Sequence, residues 1–150
     1  MELITKILDG FDLAKIIPTM DVFLGKLQTL AVLAALVGPI VMLIIGAWYL
    51  WKPVPEANHK AGFRTYFGMG SVQAWQFTQR LAGRAWFAVG AVLTVVSAVV
   101  CLIAGGKDPM GAVQTAAVML IIQAIAAFVC WLAITIVVTV TFDKDGKRRS

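Results

Sequence analysis

Charge is scarce in this chain, and its absence is uneven. Only 14% of the 150 residues are Asp, Glu, Lys or Arg, while 60% are hydrophobic; soluble globular domains average about 25% and about 45–50%. Three long windows hold no charge at all, so the apolar excess belongs to segments that need an apolar solvent and not to an enlarged core. Cysteine is nearly absent too. Cys101 and Cys130 have no CxxC or Cys/His spacing, so they read as small packing residues and not as metal ligands. A bridge between them requires that their helices meet at one depth. The only histidine, His59, has no partner at a motif spacing and reads as a solvated side chain. No metal, no cofactor and no catalytic residue is expected, because no span carries an ionisable pair and no loop pairs a nucleophile with a base.

What is present in the three windows has the length of a bilayer crossing. Residues 29–51 and 85–106 are charge-free and as helices reach roughly 34 Å and about 33 Å, enough for a hydrocarbon core of about 30 Å. Pro39, preceded by Gly38, is tolerated in such a span if a neighbour takes up the carbonyl that the proline leaves free. The second window closes at Gly105 and Gly106, and Lys107, Asp108 and Pro109 follow as a turn, with Asp108 as N-cap and Pro109 as first helical residue. From Met110 to Phe142 charge is absent again. A helix of that length is about 50 Å long, so this third element, over 109–142, must tilt or project beyond the membrane.

The N-terminal segment, residues 1–28, is too charged to cross. Leu3, Ile4, Ile7, Leu8, Phe11 and Ala14 share one helical face, opposite Glu2, Lys6, Asp9 and Asp12, which predicts an amphipathic helix lying at the headgroup level until Pro18 ends it. It lacks the basic start and the small-residue cleavage site of a signal peptide. The expected architecture is therefore all-α: three transmembrane helices, an N-terminal interfacial helix, an amphipathic helix in the loop over 52–84, and a basic tail over 143–150, in a single membrane domain.

The net charge of +5 lies beside the apolar windows and not on one soluble face, which argues for lipid headgroups as partner and against nucleic acid. Lys52, Lys60, Arg64, Arg80, Arg84, Lys144, Lys147, Arg148 and Arg149 fall on one side of the membrane; Lys6, Lys15, Lys26 and Lys107 fall on the other. The positive-inside rule then places the loop and C-terminus in the cytoplasm and the N-terminus outside. Trp48, Tyr49 and Trp51 close the first span where Trp86 and Phe87 open the second, as interfacial aromatics do.

The loop carries the polar variety. Pro53 and Pro55 stiffen its entrance, and Gly62, Gly68 and Gly70 permit turns. Ser71 can cap a helix whose apolar face holds Ala74, Trp75, Thr78, Leu81, Ala82 and Ala85, expected to run along the interface and turn into the second span near Gly83. Asn58, Gly62, Arg64 and Thr65, then Trp75 ten residues on, then Arg80 and Gly83, resemble the signature of the SdpI family of bacterial immunity proteins. The resemblance covers 56–106, with departures at Ala57 and Tyr66, where the family has proline. It implies a bacterial cell-membrane protein that protects against a membrane-active peptide toxin and signals to a cytoplasmic regulator.

Within that loop Arg64 is the residue singled out, either as a clamp on the helix ends or as a contact for a phosphate or carboxylate. Trp75 reads as an interfacial anchor. Inside the bilayer, Gln123 is expected to bond Thr94 or Ser97, since a polar side chain at that depth seeks a partner. Gly90, Thr94, Ser97, Ala98 and Cys101 form a small-residue stripe for the third span or for a second copy in a homo-oligomer. A binding protein of SdpI type and an accessory subunit of a larger membrane complex both fit; a transporter does not, because no intramembrane acid or base couples ions.

Overall fold

The computed structural model describes residues 13–52, 54–57, 61–104 and 109–149, with side chains from Val22 onward except at Pro109. Among these residues three long helices dominate: α1 (Leu13–Trp51), α2 (Val72–Ala104) and α3 (Pro109–Thr141), with a single 3-10 turn at Phe67–Met69 between α1 and α2. Each of the three contains a stretch long and apolar enough to cross a membrane: Val22–Trp51, Val72–Ala104 and Met110–Thr141. Their outward faces are Leu, Ile, Val and Phe, as at Leu33, Val37, Val95, Ile121 and Phe128, a surface that only lipid can solvate. The chain is an all-helical, multi-pass membrane protein.

Several boundaries differ from the sequence expectation. Residues 1–12 lie outside the described residues, so the amphipathic face from Leu3 to Phe11 is not seen, but Pro18 ends nothing: α1 runs through it. Pro18 is the sixth residue of α1, so the helix continues through it with one i to i−4 bond forgone, that to the Ala14 carbonyl. The expected bend at Gly83 is also absent. The loop helix and the second span form one helix, about 50 Å long, whose first turns bury one face, at Ala74, Trp75, Thr78 and Gln79, under the loop. Asp108 lies outside the described residues; Pro109 begins α3.

Two glycines set how closely α1 and α2 approach. A Cβ on Gly46 would fall 2.3 Å from the backbone nitrogen of Phe87, and one on Gly90 would fall 2.5 Å from that of Leu43. Two backbones thus touch reciprocally, Gly46 against Phe87 and Gly90 against Leu43, as small residues allow in lipid. At Gly90 the small-residue stripe therefore meets α1, while farther along it Ser97 accepts a hydrogen bond from Gln123 of α3. Thr94 is turned to its own helix, donating to the Gly90 carbonyl at 2.7 Å.

The interior has two parts. At the loop end, Phe63, Ala74, Ala82, Cys130, Ile134, Val138 and Phe142 pack together; at the opposite end Ala35, Ala116 and Met119 pack with Cys101 at their edge. The cysteines therefore belong to opposite ends and both are free thiols. The last turns of α3 carry Ile134 and Val138 under the loop, and Phe142, just past the helix, meets Phe77 edge to face at 5.3 Å.

Candidate functional site

The loop is held by side chains of α2 that its sequence would assign to a membrane surface. Trp75 is fully buried and its indole Nε1 donates to the Val54 carbonyl at 2.8 Å, so it is a wedge between the two arms of the loop and not a headgroup anchor. One turn on, Gln79, also fully buried, pairs with Phe63 as a neighbouring strand would. The Phe63 N–H donates to Oε1 and Nε2 donates to the Phe63 carbonyl, both at 2.8 Å. These bonds satisfy backbone groups that an irregular segment has no ladder to satisfy.

The motif glycines fit around these two side chains. Gly62 has φ +105 and a Cβ there would lie 2.6 Å from the Trp75 ring and 2.9 Å from Gln79 Oε1, so both conformation and space require glycine. A Cβ on Gly83 would stand 3.1 Å from the side chains of Leu50 and Tyr49 of α1. Thr65 accepts from the Gly68 N–H at 3.0 Å and, through its carbonyl, from Met69, closing the 3-10 turn. Ser71 does cap α2, accepting the Ala74 N–H at 3.1 Å.

The C-terminus joins this end of the molecule. After α3, residues 142–149 form a tight hairpin: Phe142 bridges to Arg148, Asp143 Oδ1 accepts the N–H groups of Asp145 and Lys147, and Gly146 turns at φ +69. Ser71 Oγ donates to the Gly146 carbonyl at 2.8 Å, and Gly70 and Gly146 touch backbone to backbone. Arg149 lies over the Phe67 ring at 5.8 Å. The basic tail is thus docked against the start of α2 and the 3-10 turn.

The structure brings together Gly62, Thr65, Trp75 and Gly83 as the internal frame of the loop and leaves Arg64 and Arg80 on its exterior. Among the described residues Arg64 makes no ion pair or hydrogen bond. Asn58 lies outside the described residues. In the membrane interior, Gln123 Nε2 donates to Ser97 Oγ at 2.9 Å and to the Ala35 carbonyl at 2.7 Å. The Thr94 alternative is not used. Sequence reasoning missed Gln79, although Trp75, Gln79 and Gly83 recur at four-residue spacing and so share one helical face. It also missed the Asp143 hairpin, whose signal was an Asp followed by Gly three residues later.

With this geometry in place, comparison with known proteins is decisive for the class. A model of the SdpI/YfhL protein family matches residues 56–141, more than half of the chain. The protein is thus a membrane protein of SdpI type, and it belongs to the SdpI/YfhL family. The match takes in the loop from residue 56 and the whole of α2 and α3, which extends the likeness beyond the motif to the third span; α1 precedes it. No curated protein and no solved structure matches the chain.

Proposed function

We propose that this chain is an immunity and signalling component of the bacterial cell membrane, protecting against a membrane-active peptide toxin and presenting its loop to a cytoplasmic regulator. One observation carries the reading. The family motif is folded into a hydrogen-bonded platform on α2, joined to the C-terminal hairpin, and its framework leaves Arg64, Arg80 and Arg84 exposed. A platform with outward cations is suited to recognition of anionic groups. The orientation proposed with it, N-terminus outside and C-terminus cytoplasmic, follows from the positive-inside rule.

Expression in a toxin-sensitive bacterium, scored by survival against a panel of membrane-active peptides, tests the proposal. Wild type should protect against at least one peptide, and Arg64→Ala should reduce protection. Unchanged survival across the panel would overturn it. A reporter fused after Ser150 should be active only in the cytoplasm.

A second reading, an accessory subunit of a larger complex, draws on an apolar groove of about 420 Å³ between α2 and α3, lined in part by Ala85, Ala126, Cys130 and Ala133. Small side chains there let another helix approach closely. A stoichiometric partner retained in mild detergent would favour it over the first reading.

A further inference from the structure

Beside the platform, and outside its internal bonding, lies a groove of about 320 Å³ whose two walls differ in chemistry. Ile44, Ile45, Trp48 and Tyr49 of α1 form one wall; Ala61, Gly62 and Arg64 of the loop form the other. Ile44 and Trp48 are more than half exposed on the lipid-facing surface of α1, so the apolar wall is continuous with the bilayer. Lys52 stands over the Trp48 ring, with Nζ 5.6 Å from its centroid, which brings a second cation to the same wall. Arg64 is exposed and has no acid to neutralise it among the described residues.

We propose that this groove is a site for one anionic phospholipid of the leaflet on the loop side. Its phosphate binds Arg64 and Lys52, and an acyl chain lies along Ile44 and Trp48. The chemistry is specific on three counts. A guanidinium presents a fork that fits two phosphate oxygens, and it binds more strongly where the surroundings are poor in water. The span ends here at Trp51, which places both cations at headgroup depth. The loop and tail together hold nine basic residues against three acidic ones, so this end attracts anionic lipid and disfavours the cationic group of a zwitterionic headgroup. The site needs only the groove and the bilayer, so it stands apart from the toxin reading.

The test uses the full chain in mild detergent, with melting temperature and native mass spectrometry as readouts. Phosphatidylglycerol should raise the melting temperature and give a one-lipid adduct, whereas phosphatidylcholine at the same concentration should not. Arg64→Gln and Lys52→Gln should each weaken phosphatidylglycerol binding about fivefold, while Arg80→Gln, which removes a cation outside the groove, should leave it unchanged. Equal binding of the two lipids, or equal loss on Arg80→Gln, would overturn the proposal. So would stabilisation by millimolar inorganic phosphate alone, which would make the ligand a free anion. Without added lipid, Arg64→Gln should melt with the wild type; a lower melting temperature there would make Arg64 a structural clamp and remove the site.

Discussion

Gln123 of α3 donates to the carbonyl of Ala35 in α1, the carbonyl that Pro39, four residues on, cannot reach with an N–H. Proline in a membrane helix leaves such a group without water to bond it, and here a side chain from another helix supplies the donor. Gly38 makes room, since a Cβ there would stand 3.0 Å from Gln123 Oε1. Ser97 of α2 accepts the second N–H of the same amide, so one side chain ties three helices.

Gln123→Leu should therefore lower stability in detergent by about 0.6–2 kcal/mol. In a Pro39→Ala background the Ala35 carbonyl regains an intrahelical donor, and Gln123→Leu should then cost measurably less. A double-mutant cycle on thermal unfolding checks this; strictly additive losses would show that the bond does not serve the proline.

Gln79 should matter more than its place in the sequence suggests. Gln79→Leu removes both partners of the Phe63 backbone in a buried setting, with an expected cost of about 2–4 kcal/mol from two unpaired groups. Thermal unfolding in detergent measures it, and a loss below that of an exposed control such as Gln76→Leu would contradict the assignment.

Gly46→Val and Gly90→Val should each force α1 from α2, because the atoms met are backbone and cannot rotate aside. Overpacking of this kind costs about 1–3 kcal/mol. Crosslinking of a cysteine pair placed across the α1–α2 contact should fall in parallel with the melting temperature.

The C-terminal hairpin should behave as a latch. Gly146→Val combines a φ of +69 with a Cβ 2.4 Å from the Ser71 nitrogen, so the turn should leave Ser71 and open. Trypsin should then cut after Lys144, Lys147 or Arg148 several-fold faster than in wild type, with Ser71→Ala giving a smaller increase. Equal cleavage rates would mean that the tail is not held.

Much of the membrane architecture is legible because lipid imposes a one-dimensional rule: a span needs about twenty apolar residues, and charge counts locate its ends. Ser71 as a cap and the Gln123–Ser97 bond were legible for related reasons, since both follow from local donors or from the cost of an unpaired polar group in lipid. The loop was harder. Trp75 looks interfacial when only its type and neighbours are known, and its burial depends on Val54 and Gly62 folding back against it from the loop.

By itself the sequence determined that three helices enter lipid, which residues mark their ends, and the family motif between the first two. Each of these rests on spacing along one chain. The tertiary structure alone decided that the small-residue stripe meets α1, that α2 continues unbroken past Gly83, and that the tail docks on Ser71. It also decided that Gln79 and Trp75 hold the loop while Arg64 stays exposed. The physical reason is that a hydrogen bond or a close backbone contact between distant segments depends on which surfaces meet, and pattern along the chain does not encode that meeting.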